Sequence, residues 1–296
     1  MAAIIFDPVM GWRRSPGRAR ASIGHIEWEW DIDKTGYRRL PDVPAAAGQP
    51  EVWVFGCSFT EGQCLPITDS YCYLLQSRFP TVRVSLQAIA GYSTLQNLLQ
   101  LEANLVTARP DVVVFSFMHD HLLRNVAHPV LWKNRARHPA FGRLSGTKVR
   151  GDEVFRPAGF LTESGTLSYR KALMPLSEEE YQGMSAYGPD RYTRARITEE
   201  IFKRARAVTE NAGAQFLVAL LRSGDSTQAG GVGKRPPLET PFMKRLAGLG
   251  FDIVDADPNL PFEEAAFMPV DIHPNARANR HFADKIGDRV EELLGV

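Results

Sequence analysis

Cysteine is scarce in this 296-residue chain: Cys57, Cys64 and Cys72 are the only three. Odd in number and crowded into one stretch, they argue against a disulfide framework. They also lack the Cys/His spacing of a zinc site, so buried free thiols are expected. Long hydrophobic runs are missing too. No segment approaches the roughly 20 apolar residues of a membrane-spanning helix. The opening Met1-Ala2-Ala3-Ile4-Ile5-Phe6-Asp7-Pro8 lacks the charged start and apolar stretch of a secretion signal, so the expectation is a cytoplasmic chain with no membrane partner. Charge of one sign is also absent. With 35 Lys+Arg against 34 Asp+Glu the net charge is +1, which argues against an electrostatically driven nucleic-acid partner. No internal repeat is visible.

What the chain does have is an alternation of short apolar runs with amphipathic stretches. Val52–Phe55 reads as a buried strand, Val82, Val84 and Leu86 as a second, and Val112 to Phe117 as a central one. Gln215 to Leu221 and Phe251 to Asp255 supply a fourth and a fifth. Helices are predicted from Asp69, as N-cap, to Phe79, from Thr94 to about Ala108, from Asp190 or Thr193 to Asn211, over Glu239 to Ala247, and from about Asn275 to the end. On the Thr94 helix, Leu95, Leu98, Leu99, Leu101, Leu105 and Val106 form an apolar stripe. Gln96, Asn97, Gln100 and Asn104 take the other face, while Glu102 falls inside the stripe, either ion-paired or turned toward a site.

Strands alternating with helices predict an α/β fold, a three-layer doubly wound sheet of about five parallel strands. Within residues 1–50, Ile26, Trp28, Trp30 and Ile32 alternate with acidic residues, which predicts a β-rich N-terminal extension. Trp28 and Trp30 either pack on the core or face a ligand. Residues 126–189, rich in Pro, Gly, Arg and Tyr, read as an inserted cap with a hairpin between Phe141 and Phe155, and Gly224 to Pro237 as a loop. The expectation is one domain over 1–296, its α/β core in 51–125 and 190–296.

The core is organised around Val52-Trp53-Val54-Phe55-Gly56-Cys57-Ser58-Phe59-Thr60-Glu61-Gly62. A buried strand, a tight turn and a helix entry lift Ser58 out at the carboxyl ends of the strands, where open α/β folds place their chemistry. The segment Phe55 to Gly62 resembles the first block of the SGNH (GDSL-like) serine hydrolases, with Cys57 where that family usually has Asp. Gln87-Ala88-Ile89-Ala90-Gly91-Tyr92 resembles the second block. Phe117-Met118-His119-Asp120 resembles the third, with His119 at the usual asparagine. Val270-Asp271-Ile272-His273-Pro274-Asn275 resembles the last, its acid two residues before the histidine rather than three. Order and spacing match over 51–123 and 190–296, loosely over 1–50, and almost not at all over 126–190. The resemblance implies a flavodoxin-like SGNH hydrolase fold and a serine esterase.

Serine is a poor nucleophile at neutral pH and needs a base, which in turn needs an orienting group. Ser58, His273 and Asp271 are the candidates, with a backbone carbonyl, Asp255 or Asp257 as alternatives to Asp271. An oxyanion hole needs donors where charge develops. Ser58 N–H, Gly91 N–H and His119, as neutral imidazole or imidazolium, are the candidates. Tyr92, Asp120, His121 and Asn125 stand as substrate-binding candidates. His119, Asp120 and His121 alternatively form a metal site, although neither metal nor cofactor is expected. The reading is cleavage of an O-acyl or O-acetyl ester on a small molecule or sugar. Acyl transfer and a catalytically silent binding module are the alternatives, and the oligomeric state stays open.

Overall fold

The structure is a computed structural model and describes residues 4–41, 48–128, 155–173, 189–222 and 239–296. Five strands, β5 (Glu51–Gly56), β6 (Arg83–Ala88), β7 (Val112–Phe117), β10 (Gln215–Leu220) and β11 (Asp252–Asp255), form one parallel sheet in the order β11-β10-β7-β5-β6. Counted from the β6 edge, the order of appearance is second, first, third, fourth, fifth, the flavodoxin-like winding. The apolar runs are continuous because both faces are covered. Trp53, Phe55, Val113 and Phe115 face one layer, built from α3 (Thr94–Asn104), α5 (Arg191–Asn211) and α6 (Glu239–Gly248). Val52, Val54, Val112 and Val114 face the other, built from α2 (Tyr71–Arg78) and α8 (Ala276–Leu294). This is the period-two alternation of a strand used twice over. No helix among the described residues is long and apolar enough to cross a membrane.

Caps set the helix starts. Asp190 Oδ1 accepts from Thr193 N–H, so α5 takes the earlier of its two predicted starts. Asn275 accepts from the N–H groups of Arg277 and Ala278 at the head of α8. Asp69 was the predicted cap of α2, yet Ser70 holds that position and accepts from Tyr73 N–H, while Asp69 closes a short 3₁₀ turn, Ile67–Asp69. Helix α3 also ends short of Ala108, which leaves Val106 79% exposed rather than in the apolar stripe.

The N-terminal extension is two antiparallel hairpins, β1 (Ile4–Asp7) with β2 (Gly11–Arg14) and β3 (Gly17–Ile23) with β4 (Ile26–Ile32). Trp28, Trp30 and Ile32 are buried with Cys64. Two guanidinium groups lie over the Trp30 ring, Arg14 at 4.4 Å and Arg38 at 4.8 Å from its centre. Both tryptophans are therefore packing residues. The extension also covers the polar face of α3. Gln96, Asn97 and Gln100 are buried there, with Gln96 donating to Met10 C=O and Gln100 to the Tyr37 hydroxyl. Glu102 is ion-paired with Arg204.

Within the region read as a cap, β8 (Phe155–Leu161) and β9 (Leu167–Leu173) form a hairpin that packs on α3, β2 and α5. Gly159 fits because its backbone crosses Asn125, donating to that residue's C=O at 2.7 Å. A Cβ there would stand 2.9 Å from Ile197 Cγ2. The hairpin predicted between Phe141 and Phe155 lies, apart from Phe155, outside the described residues, as does the loop from Gly224 to Pro237.

Candidate active site

Ser58 opens α1 (Ser58–Glu61) directly after β5, with Cys57 extended before it. The turn is tight enough to require glycine. A Cβ on Gly56 would stand 2.0 Å from Thr60 Oγ1 and 2.6 Å from Thr60 Cβ. Thr60 in turn accepts from the Tyr71 hydroxyl at 3.1 Å, and that hydroxyl lies 2.6 Å from Ser116 Oγ on β7. A buried polar network thus fixes the floor beneath Ser58.

The partners arrive from the other end of the chain. After β11 the backbone passes through α7 (Phe262–Ala265) and is stitched to itself. Phe267 N–H donates to His273 C=O, Asp271 N–H to Phe267 C=O, and Asn275 N–H to Ala265 C=O. Asp271 Oδ1 accepts the backbone N–H of His273 at 2.8 Å, an Asx turn, and the same oxygen meets His273 Nδ1. This local turn is why an acid only two residues away reaches the ring. Asp255 and Asp257, the alternative acids, pair with Arg222 instead. His273 Nε2 lies 2.8 Å from Ser58 Oγ. Its ring meets Phe59 edge-on at 5.5 Å between ring centres.

Burial raises the Asp271 carboxyl, but hydrogen bonds and charge from His273, with a smaller contribution from Cys64, outweigh it, and the net shift is below the usual 3.8. An ionised carboxylate only accepts, so His273 Nδ1 carries a proton, and in the neutral ring that tautomer leaves the Nε2 lone pair facing the Ser58 hydroxyl. The Cys64 thiol is pushed up to about 12, by burial first and then by Asp271, with which it hydrogen-bonds. It therefore stays a donor to that carboxylate.

The remaining candidates divide. His119 and Asp120 are partly exposed just beyond β7, and Asp120 is paired with Arg124. Burial lowers the His119 imidazole, opposed by Asp120 and reinforced by Arg194 and Arg124, so the neutral ring is the form present near pH 7. Gly91 follows β6 in a turn with φ of 83°. Three residues read as substrate-binding are buried and bonded to internal partners. Tyr92 is 1% exposed and its hydroxyl donates to Trp12 C=O. His121 is fully buried, bonded to Thr94 Oγ1 and set edge-on against Phe117. Asn125 is fully buried, accepting Leu95 N–H and donating to Thr198. His121 and Asn125 face inward because the chain turns into α4 (His121–Arg124) just after β7, instead of extending the strand, and Tyr92 does so from the turn after β6.

Among the described residues, His119, Asp120 and His121 do not gather their ligand atoms into one set. The one set of three ligand-type atoms within 4.8 Å of one another among the described residues is Cys64, Asp271 and His273. Its members already serve one another as donors and acceptors. Cys57 and Cys72 are buried free thiols, as expected, with Cys57 Sγ 3.3 Å from Met118 Sδ.

Sequence reasoning did not find Glu61. It is wholly buried within α1, in a two-pronged ion pair with Arg14 of β2, both contacts at 2.8 Å. Its Oε2 also accepts Ala90 N–H at 2.9 Å. The one charged residue in the turn Gly56 to Gly62 was the available signal.

No protein-family profile matches the chain, and no curated protein does. Solved structures do. A lipolytic protein of the G-D-S-L family from Veillonella parvula matches at 15% identity and TM-score 0.43, over 80% of this chain and 96% of its own. An alpha/beta hydrolase enzyme from the metagenome of Lake Arreo matches at 12% and 0.47, over 86% and 98%. An acetyl xylan esterase variant from Geobacillus stearothermophilus matches at 12% and 0.43, over 83% and 94%. Likenesses this distant decide nothing about what this chain does.

Proposed function

We propose that the chain is a serine ester hydrolase acting through Ser58, His273 and Asp271. One observation carries the reading: an unbroken hydrogen-bonded line from Ser58 Oγ through both nitrogens of His273 to a carboxylate held ionised. A hydroxyl, an oriented imidazole and a half-buried acid from opposite ends of the chain are the parts that acyl transfer to serine requires. His273 takes the Ser58 proton as Oγ attacks the ester carbonyl and returns it to the departing alcohol. Water then enters by the reverse route and frees the acid. The N–H groups of Ser58 and Gly91, with the neutral His119 ring, receive the tetrahedral oxyanion. The substrate class is an O-acyl or O-acetyl ester of a small molecule or sugar.

Ser58→Ala lowers kcat on p-nitrophenyl acetate by on the order of a thousandfold or more, and abolishes labelling by a fluorophosphonate probe. Asp271→Asn keeps the shape but permits the wrong tautomer, and costs on the order of 10³–10⁴ in kcat. Turnover by Ser58→Ala equal to that of the native chain would sink the assignment.

A further inference from the structure

The turn Ile89-Ala90-Gly91-Tyr92 has one group left over. Tyr92 N–H donates to Ile89 C=O, closing a β-turn. Gly91 has φ of 83° and Ala90 is not among the positive-φ residues, which makes the turn type II and Gly91 its obligatory glycine. Ala90 N–H donates to Glu61 Oε2 at 2.9 Å. Ala90 C=O accepts the Trp12 indole N–H at 3.4 Å. Gly91 C=O accepts Arg156 Nη1 at 2.8 Å, and Tyr92 C=O accepts Arg124 Nη1 at 3.2 Å. From Ala90 N–H to Tyr92 C=O, only the Gly91 N–H has no acceptor among the described residues.

We infer that Trp12, Arg156 and the Arg14–Glu61 pair are positioning residues that set the Gly91 N–H as an oxyanion donor. The inference rests on the reading of Ser58 as an esterase nucleophile. The middle peptide of a type II turn puts its C=O on one side and its N–H on the other. A flip to type I exchanges them and turns the Gly91 N–H away from its present direction. Trp12 holds the C=O of that very peptide, so the flip costs its hydrogen bond. Glu61 and Arg156 fix the peptides before and after it.

The holders are themselves held. Trp12 C=O accepts the Tyr92 hydroxyl at 2.6 Å, and its ring meets Tyr92 edge-on at 5.6 Å. The Arg156 guanidinium lies 4.8 Å over the Trp12 ring and also donates to Gln96 Oε1 at 3.0 Å. Trp12 belongs to the N-terminal extension and Arg156 to the hairpin of the inserted region. Neither segment carries a catalytic side chain in the proposed mechanism, and this gives both a role in it. A donor on the carbonyl also polarises the peptide and strengthens the N–H on its far side.

Trp12→Phe removes the indole N–H and keeps an aromatic ring. Arg156→Lys keeps the charge and loses the planar fork. With p-nitrophenyl acetate, both lower kcat by about ten- to a hundredfold, somewhat less than the roughly 10²–10³ lost with a whole oxyanion donor. KM stays within about twofold. Affinity for a simple alkyl trifluoromethyl ketone, whose adduct carries the oxyanion, falls by the same factor as kcat. Tyr169→Ala, on the exposed side of the same hairpin, changes neither. Unchanged kcat in the folded variants overturns the inference, and so does a fall in kcat with ketone affinity retained. Failure of both variants to fold also overturns it, because the contacts would then be structural only. A native chain that neither turns over the ester nor takes the fluorophosphonate would instead fail the reading of Ser58.

Discussion

His121 is a wholly buried imidazole, and its surroundings fix the sign of a pH effect. Burial holds its pKa well below 6.5, and the nearby Arg124, Arg156 and His119 push the same way. Between the folded value and 6.5 the unfolded chain binds a proton that the folded chain refuses. Stability is therefore unaffected above about 6.5 and falls as the pH drops below it, by up to about 1.4 kcal/mol per pH unit. His119 and His128 are lowered by burial and act in the same direction. Asp271 works at the acid end: its lowered pKa contributes stability above 3.8 that is lost as pH falls through the folded value. Thermal melts at pH 7.5 and 5.5 check this. The native chain loses Tm on acidification and His121→Gln loses less; equal losses would refute the assignment. Glycine makes a second contrast at this scale. Gly56→Ala drives a Cβ into Thr60 and unfolds or strongly destabilises the chain. Gly248→Ala, at the end of α6 with nothing within 4 Å, leaves Tm level or raises it.

Helix α3 carries an element-scale test. Ser93 accepts Gln96 N–H while the Gln96 side chain returns to Ser93 N–H, a reciprocal capping box. Ser93→Ala costs about 0.5–2 kcal/mol, read as a lowered urea midpoint at constant slope. The same helix shows what the sequence could and could not convey. Its apolar positions were legible from a 3.6-residue period, and the strands were legible because runs such as Val112 to Phe117 are near-continuously apolar, with Ser116 the one polar residue. Gln96, Asn97 and Gln100 take the polar face, and periodicity cannot tell whether water or another part of the chain covers it. Here the other part is the N-terminal extension. The site divides along the same line. Ser58, Asp271 and His273 stand in local patterns, a strand-to-helix turn and an Asx turn, that short spacing encodes. The burial of His121 and Asn125 depends on where β7 gives way to α4, and that of Tyr92 on Trp12 of the N-terminal extension. Trp12 and Arg156 reach the Gly91 turn from 78 and 65 residues away, a separation that no local pattern records.

At the scale of the whole molecule, the segments that look like attachments to the α/β core share its interior. Arg14 of β2 enters the block around Ser58 to pair with Glu61, and both side chains are almost completely buried. Arg38 donates to the C=O groups of Glu61, Gly62 and Leu65. Its pKa is lowered to about 10 by burial, against the pull of Glu61, and it remains charged at neutral pH. Gly24, at the tip of the β3–β4 hairpin, sits so close to Val270 that a Cβ would stand 2.9 Å from its Cγ1, beside Asp271. Removing one partner from a buried ion pair costs about 3–5 kcal/mol, a large share of the 5–15 kcal/mol that stabilises a typical domain. Peeling the extension away would strip Arg14 and Arg38 from the core together, so a core without its extension is not a stable intermediate. Unfolding is then a single transition. Trp12, Trp28 and Trp30 report on the extension and Trp53 on the core. Urea unfolding followed by tryptophan fluorescence, far-ultraviolet circular dichroism and ester turnover gives coincident midpoints if the extension and core fold as one unit. A fluorescence change that precedes the loss of helix, with turnover intact, would show that the extension comes away alone and that the Gly91 turn holds its shape without it.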